Sequence, residues 1–223
     1  MRQLILDLLP ENPPSLDNFV PGGNAETVAA LFSWIAPENR ETSLLLYGES
    51  GSGKTHLLRA CADDYRDAAA APGLEDAAAL GGGSRRVAVD NVEALDGAGQ
   101  IALFELFNRL RAAGGRLLTA AARPPRDLCL REDLRTRLGS GLVYRLTPLS
   151  DEEKRAALAA QAAARGLALP PGALDYLLSR AARDMRHLTG ILAAIDRHSL
   201  ECKRPVTLPL LREILQRLPG DAP

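Results

Sequence analysis

The segment GESGSGKT, residues 48–55, has the residue types and the spacing that bind phosphate groups. It matches the P-loop pattern G-x-x-x-x-G-K-[ST], in which glycines allow backbone N–H groups to turn inward around phosphate oxygens. Lys54 is expected to reach the β- and γ-phosphates, and the Thr55 hydroxyl is expected to hold Mg²⁺. The pattern therefore predicts that eight consecutive residues bind a nucleotide: Gly48, Glu49, Ser50, Gly51, Ser52, Gly53, Lys54 and Thr55.

A second motif, VAVDN at residues 87–91, has the pattern of a buried strand that ends in an acid. At that position Asp90 can support Mg²⁺ beside Thr55. Many P-loop ATPases with a helical lid place a second acid directly after this aspartate, where it activates the attacking water. The corresponding residue here is Asn91, whose amide cannot accept a proton. The motif therefore predicts a metal site that lacks the usual catalytic acid.

The hydrolytic residues are incomplete at another position as well. Such ATPases often carry a polar γ-phosphate sensor after the third strand, but the sequence has Ala121 and Ala122 there. Glu93 and Asp96 are close to Asn91 in the sequence, although nothing in the sequence places them at the phosphates. We expect slow or negligible ATP hydrolysis by the chain alone, and whether it is an enzyme in its own right is left open.

Two arginines each have two interpretations. Arg137 precedes a Gly-Ser-Gly turn, at a corner that faces the next subunit's nucleotide in oligomeric P-loop ATPases, where an arginine can stabilise charge on the γ-phosphate. Arg186 lies near the start of a predicted helix, from which it could reach phosphates bound by the α/β part. Both side chains could instead be solvated surface charges, which is our interpretation of Arg131 and Arg135. The local sequence leaves these alternatives open.

The first ten residues, MRQLILDLLP, are rich in leucine before any globular pattern begins. A secretory signal is not favoured, because Asp7 interrupts the apolar run and no small-residue cleavage site follows. Two alternatives remain. The segment is a first strand or arm packed on the core, or it is a peptide that docks in a groove on another protein.

Strands and helices alternate in the first two thirds of the chain. Short apolar runs predict strands at residues 43–47, 86–90, 116–120 and 142–146. Helices are predicted after Asn24, from Lys54 to about Tyr65, and before Gly114. The first of these helices can be capped by Asn24, and it has apolar residues at helical spacing, namely Val28, Leu31, Phe32 and Ile35. This alternation predicts a mainly parallel sheet with helices on both faces, and we interpret the Ala/Gly-rich segment 66–84 as a linker or a much reduced element.

The pattern becomes entirely helical after Pro148. Ser150 and Glu153 have the spacing of a capping box, and further helices follow, the last near residues 209–218. We therefore predict an α/β domain at residues 11–147 and a small helical domain at residues 148–223.

The composition excludes several classes of protein. With 27 basic and 28 acidic side chains the formal net charge is -1, so we expect little direct DNA binding. No apolar run approaches the roughly 18 residues that cross a bilayer, so we expect no membrane partner and a cytoplasmic location. The three cysteines form no CxxC pair and the three histidines are scattered, which disfavours a disulfide framework or a zinc site.

Taken together, these segments resemble the DnaA-related regulatory inactivators, the Hda family of AAA+ proteins. The resemblance covers nearly the whole chain and is carried by LDNFVPGGN, the P-loop, VAVDNVE, ARPPRDL, DLRTRLGSG, LSDEEKRAAL and RDMRHL. The combination is specific, whereas each segment apart from the P-loop would be weak alone. The chain departs from the family in its short segment 66–84 and in the alanines at the sensor position.

The resemblance implies a P-loop AAA+ module with a helical lid that acts as a negative regulator of DNA replication initiation. It implies that ADP (or ATP) and Mg²⁺ are the cofactors, that Asp90 supports the metal, and that Arg186 is the sensor arginine of the lid. Arg137 matches the arginine finger, which would act in trans on ATP bound to the initiator DnaA. Self-association of the chain is left open.

The same resemblance selects one interpretation of the N-terminal segment. Residues 3–8 resemble the Gln-x-x-Leu-x-Leu/Phe peptide with which bacterial replication proteins dock on the DNA polymerase III sliding clamp. Residues 1–10 are therefore expected to be a clamp-binding peptide, and its contact residues are expected to be Gln3, Leu4, Leu6 and Leu8.

Two other functions compete with that of a negative regulator of replication initiation. One is a self-sufficient AAA+ ATPase, such as a helicase loader, which would need its own catalytic acid and a basic surface for DNA. The other is a binding module that sits on the clamp and uses a nucleotide only to fold. Turnover of ATP by the isolated protein separates the first from the second.

Overall fold

The computed structural model describes residues 13–80, 85–180, 185–202 and 206–217. The chain divides into two compact units, residues 13–148 and the described residues from 149 onward. Each unit has its own buried apolar clusters.

The first unit is built on a five-stranded parallel sheet. Its strands are β1 (Ser43–Tyr47), β2 (Asp64–Asp67), β3 (Arg86–Asp90), β4 (Arg116–Ala121) and β5 (Leu142–Arg145). The strands are arranged in the order β2-β3-β4-β1-β5, and every neighbouring pair is parallel. The predicted parallel sheet is thus confirmed. Because its strands are parallel, the loops that follow their carboxyl ends lie at one edge of the sheet.

Helices cover both faces of this sheet. They are α1 (Ala25–Ile35), α2 (Lys54–Cys61), α3 (Gly97–Ala113) and α4 (Glu132–Gly139). Short 3₁₀ turns lie at Gly22–Asn24, Ala77–Ala79, Val92–Ala94 and Pro125–Asp127. Helix α3 ends as the sequence predicts, because Gly114 adopts the left-handed conformation at its C-terminus, with φ 72°.

The alternation of side chains along the central strands divides the core into two layers. Leu44, Leu46, Ala88 and Leu118 are fully or almost fully buried in the layer that contains side chains of α1 and α2. The opposite layer, which contains side chains of α3 and α4, holds Leu45, Val87, Val89 and Leu117. Burial on both faces explains why these strands are continuous apolar runs in the sequence. Each such leucine contributes about 1.5–3 kcal/mol relative to an exposed one.

The structure corrects the prediction for the segment after the P-loop helix. Helix α2 ends at Cys61 rather than near Tyr65, and residues 64–67 form the edge strand β2. For the described part of residues 66–84 the linker interpretation is also wrong, and the alternative of a much reduced element fits, since a 3₁₀ turn at Ala77–Ala79 follows β2. Four apolar side chains of this part are buried in the core: Ala68, Leu74, Ala77 and Leu80. The strand was missed because its sequence, DYRD, has no apolar alternation. It pairs through its backbone with β3 alone.

The first helix departs from its apolar pattern and from the expected side-chain cap. Phe32 is 47% exposed, and the buried residues of α1 are instead Thr27, Val28, Leu31 and Trp34. Asn24 does not cap the helix with its side chain. Its amide instead donates to the Thr147 carbonyl at 2.9 Å and accepts from the Thr147 N–H at 2.8 Å, which fastens the start of α1 to the chain after β5.

The second unit is helical in its described part. Its helices are α5 (Asp151–Ala164), α6 (Ala173–Arg180), α7 (Met185–Cys202) and α8 (Leu208–Arg217). The predicted capping box is present, since the Ser150 hydroxyl accepts from the Glu153 N–H and the Glu153 carboxylate accepts from the Ser150 N–H. Among the described residues, no helix is both long and apolar enough to span a membrane.

Candidate nucleotide-binding site

The predicted P-loop lies between the end of β1 and the start of α2, at the carboxyl edge of the sheet. Two of its glycines occupy positions that no other residue would tolerate well. Gly53 has φ 95°, and a Cβ there would lie 2.6 Å from the Phe19 ring, while a Cβ on Gly48 would collide with the Leu146 carbonyl oxygen. The loop can therefore turn tightly into the helix, as phosphate binding by backbone N–H groups requires.

The Lys54 side chain is hydrogen-bonded to the backbone of the P-loop. Its Nζ donates to the carbonyl oxygens of Gly48 at 2.7 Å and Glu49 at 2.8 Å. Burial lowers the pKa of Lys54, whereas the nearby carboxylates of Asp90 and Glu93 act in the opposite direction. A partly desolvated ammonium of this kind attracts phosphate more strongly than one in water.

Thr55 and Asp90 meet across the interface between α2 and β3. The Thr55 hydroxyl donates to Asp90 Oδ2 at 2.6 Å, and the Asn91 N–H donates to Asp90 Oδ1 at 3.0 Å. Asp90 itself is only 1% exposed. A hydroxyl and a carboxylate are oxygen ligands of the kind that Mg²⁺ takes together with substrate phosphates. These two predicted residues therefore fit a Mg²⁺ ion that is shared with a nucleotide.

Tyr65 is a site residue that sequence reasoning missed. Its hydroxyl donates to the same Asp90 Oδ2 at 3.1 Å, and the Arg59 guanidinium lies 4.5 Å from the centre of its ring. Burial, followed by the charge of Asp90, raises the pKa of Tyr65 to about 12. The phenol thus remains a hydrogen-bond donor that holds the carboxylate in place. Only the strand β2 brings it there, and the polar sequence DYRD gave no signal of that strand.

Asn91 has a structural partner of its own. It adopts the left-handed conformation, with φ 53°, and its Nδ2 donates to Asp67 Oδ1 at 2.8 Å. Asparagine tolerates this backbone conformation better than most residues do. The amide therefore links the ends of β2 and β3, and it supplies no base.

The two acids that follow Asn91 in the sequence, Glu93 and Asp96, have different hydrogen-bond partners. Asp96 caps α3, since its carboxylate accepts from the Gly99 N–H at 2.8 Å. Glu93 accepts from the Ala122 N–H at 3.0 Å, so its carboxylate lies at the end of β4 and close enough to Lys54 to influence its pKa. The side chains of Ala121 and Ala122 offer no polar group, but Glu93 brings one to the same edge.

Arg137 lies in the last turn of α4, at the opposite end of the sheet from the P-loop. It lines a depression with Thr42 and Ser43, which lie at the amino end of β1. The P-loop follows the carboxyl end of the same strand, so the length of β1, about 13 Å at ~3.3 Å per residue, separates them. The guanidinium is half-buried and lies 5.8 Å from the centre of the Phe107 ring. Arg137 is therefore remote from the nucleotide site of its own chain.

Two groups of predicted site residues are not tested by the geometry. Arg186 belongs to α7, but its side chain lies outside the described part of the structure. The clamp-peptide residues, Gln3, Leu4, Leu6 and Leu8, also lie outside the described residues. Their roles remain predictions.

Comparison with known families and structures agrees with this architecture. The family model of the bacterial DnaA ATPase domain matches residues 11–73, and the model of the Hda lid domain matches residues 151–215. Domain III of the Thermotoga maritima replication initiation protein DnaA is similar in fold, with a TM-score of 0.70 and 23% identity over 91% of this chain and 95% of that one.

Two longer proteins share the fold as well. The AMPPCP-bound DnaA from Aquifex aeolicus gives a TM-score of 0.65 and 22% identity over 89% of this chain and 71% of that one. The Thermotoga maritima RuvB Holliday junction branch migration motor gives a TM-score of 0.67 and 18% identity over 94% and 73%. The parallel sheet, the P-loop between β1 and α2 and the two family matches confirm the resemblance seen in the sequence. The chain is a DnaA- and Hda-related AAA+ protein.

Proposed function

We propose that this protein is a negative regulator of DNA replication initiation that stimulates hydrolysis of the ATP bound to the initiator DnaA. In this proposal the chain holds its own nucleotide at the P-loop and presents Arg137 to the nucleotide of DnaA. The observation that carries the proposal is the position of Arg137. It is half-exposed and lies at the other end of the sheet from its own P-loop, so a phosphate that it contacts must belong to another molecule.

The nucleotide site supports binding of ADP or ATP with Mg²⁺. Lys54 and the loop N–H groups would hold the phosphates, and Thr55 and Asp90 would hold the metal, which neutralises phosphate charge when it is bound. Tyr65 keeps the carboxylate of Asp90 oriented toward Thr55. The related DnaA from Aquifex aeolicus binds AMPPCP, which supports a nucleotide in this chain too.

The residues around that site favour slow turnover. Asn91 has its amide bonded to Asp67 and cannot accept a proton from water. The side chains of Ala121 and Ala122 cannot sense a γ-phosphate. A site of this composition retains nucleotide better than it hydrolyses it, and we propose ADP as the resident form.

The proposed partner, DnaA, supplies the ATP that is hydrolysed. DnaA would hold ATP in its own site, and Arg137 would stabilise the charge that develops on the γ-phosphate. Arginine fingers of GTPases raise the rate about 10³- to 10⁵-fold, so one correctly placed guanidinium is sufficient. The lid arginine Arg186 would contact this chain's own nucleotide.

The sliding clamp is proposed as the tether. Residues 1–10 would dock on the clamp, with Leu4, Leu6 and Leu8 providing apolar contacts and the Gln3 amide fixing the register. Clamps loaded on DNA after initiation would then concentrate the protein where DnaA is found. Such tethering raises the effective concentration without adding a catalytic group.

One observation favours the rival function of a self-sufficient ATPase. The Glu93 carboxylate lies at the end of β4 and near Lys54, where a γ-phosphate sensor or a general base would act. If Glu93 activates water, the isolated protein hydrolyses ATP and Glu93→Gln abolishes that activity. Under our proposal the isolated protein has negligible turnover, and Glu93→Gln leaves stimulation of DnaA within about twofold of the parent.

The proposal is tested by reconstitution. ATP is bound to DnaA, the clamp is loaded on DNA, and hydrolysis is followed after addition of the parent chain or of Gln3→Ala. The parent should stimulate hydrolysis, and Gln3→Ala should need a higher protein concentration for the same effect. Equal activity with and without the clamp would refute the tether, and hydrolysis by this chain alone would favour the rival.

A further inference from the structure

Two other arginines lie near Arg137 at the amino end of the sheet. Arg40, from the loop before β1, and Arg111, from the last turn of α3, line the same depression. The depression has a volume of about 440 Å³, and its other lining groups include Ser43, Glu41 and the ring of Phe107. Three segments that are distant in sequence thus bring three guanidinium groups to one concave surface.

The three guanidinium groups are not neutralised within the described part of the chain. None of them makes an ion pair or a side-chain hydrogen bond with a described residue, and the Arg137 guanidinium lies 5.8 Å from the centre of the Phe107 ring. Some other arginines on the surface of this unit are paired, for example Arg85 with Asp64 and Arg131 with Asp133. Glu41 provides the single carboxylate of the lining. The depression therefore carries an excess of positive charge with its donors unused.

We propose that this depression is an oligophosphate-binding site in which Arg40 and Arg111 act together with Arg137. Guanidinium groups present planar, bidentate donor pairs that match phosphate oxygens. A concave site with three of them fits a chain of adjacent phosphates better than a single carboxylate. The identity of the occupant rests on the proposed function: it is the triphosphate of the ATP held by DnaA. Arg137 would contact the γ-phosphate, and Arg40 and Arg111 would contact the phosphates next to it.

Another role is available to two of these arginines, and it predicts a different result. Arg111 and Arg137 lie in the last turns of α3 and α4, where a cation stabilises the helix C-terminus. If that were their whole role, replacing Arg111 would lower the thermal stability and leave phosphate binding unchanged. Arg40 is not in a helix and would have no effect on either property.

The first arm of the test uses tripolyphosphate and the full chain with its P-loop saturated with ADP and Mg²⁺. Binding is measured by calorimetry for the parent, Arg40→Ala, Arg111→Ala and the control Arg126→Ala. Arg126 is 86% exposed and lies outside the depression, so its replacement removes the same charge. We expect Arg40→Ala and Arg111→Ala each to weaken binding about tenfold or more, and Arg126→Ala to leave it unchanged. Equal binding by all four proteins would overturn the site.

The second arm distinguishes the sources of the phosphate. With DnaA-bound ATP as the substrate, Arg40→Ala and Arg111→Ala should lower the stimulated rate about tenfold, while Arg126→Ala should not. Unchanged stimulation by both variants would overturn DnaA-bound ATP as the occupant. If even the parent gave no stimulation, the proposed function would fail, and the tripolyphosphate arm would still decide whether the site exists.

A nucleic-acid backbone is the remaining competitor for such a surface. Duplex DNA binding is therefore measured for the same four proteins over a range of salt concentrations. Loss of DNA binding in Arg40→Ala and Arg111→Ala, with tripolyphosphate binding unchanged, would overturn the proposal in favour of a DNA contact. We expect no difference among the four proteins in this measurement.

Discussion

Replacing Tyr65 by phenylalanine removes one of the two side-chain donors to the Asp90 carboxylate. The Tyr65 hydroxyl lies 3.1 Å from Asp90 Oδ2, whereas the Thr55 hydroxyl lies 2.6 Å from the same atom. A hydrogen bond to a charged group contributes about 1.5–3 kcal/mol. The longer distance, compared with about 2.5–2.7 Å for strong bonds of this type, favours the lower end of that range. We therefore expect Tyr65→Phe to lower the free energy of unfolding by about 1.5 kcal/mol.

The single tryptophan makes this change measurable. Trp34 is fully buried, so its fluorescence should follow urea unfolding of the α/β unit. Tyr47→Phe is the matched control, because Tyr47 is also half-buried and its hydroxyl makes no hydrogen bond with a described residue. The control should change the free energy of unfolding by less than about 0.5 kcal/mol. Equal losses in the two variants would refute the role assigned to the Tyr65 hydroxyl.

Alkaline pH provides a second measurement of the same bond. Burial and the Asp90 charge raise the pKa of Tyr65 from 10.0 to about 12, so the folded chain keeps a proton that the unfolded chain loses. The stabilisation from Tyr65 is therefore complete below about pH 10 and is lost as the pH rises toward 12. Tyr65→Phe should lack this part of the alkaline loss of stability. Parallel curves for the parent and the variant would contradict the argument.

The other predictions concern the loop, an edge ion pair and the lid. Gly53→Ala should weaken ADP binding about 5- to 150-fold in a fluorescence titration, because the positive φ and the Phe19 ring together cost about 1–3 kcal/mol; unchanged affinity would contradict this. The Arg86 guanidinium holds the pKa of Asp63 below its usual value, so the pair stabilises the fold above about pH 4 and its contribution is lost as the pH falls. Asp63→Asn should cost at most about 1 kcal/mol at pH 7, since the carboxylate is more than a third exposed, and circular dichroism should show the two proteins converging in acid. Ser150→Ala should destabilise the helical unit by about 1 kcal/mol in urea unfolding, and Ser150→Thr should restore most of that loss.

The sequence predicted the parts of the fold in which burial determines the residue types. The central strands β1, β3 and β4 are covered on both faces, so each is a continuous apolar run. The edge strand β2 has one backbone partner and four half-buried polar residues, so it has no comparable signal. Phe32 shares the helical spacing of the buried residues of α1 and is nevertheless exposed, since helical spacing alone does not show which side of an apolar stripe is covered.

The candidate site was predictable where its chemistry depends on local sequence. The P-loop is contiguous, and the position of Asp90 follows from the strand that it ends. The contacts of Tyr65 and Glu93 depend on the pairing of neighbouring strands and on the 3₁₀ turn after β3, and neither could be inferred from spacing. The cluster of Arg40, Arg111 and Arg137 likewise appears only when three separate segments are folded together.

The proposed role of Arg137 is to act on a nucleotide held by another molecule. It is tested most directly by the rate at which DnaA-bound ATP is hydrolysed in the presence of DNA-loaded clamp. Arg137→Ala is compared with Arg135→Ala, which removes the same charge from the same helix. We expect Arg137→Ala to lower the stimulated rate about 10³-fold or more and Arg135→Ala to change it by no more than about twofold. Full stimulation by Arg137→Ala would contradict it.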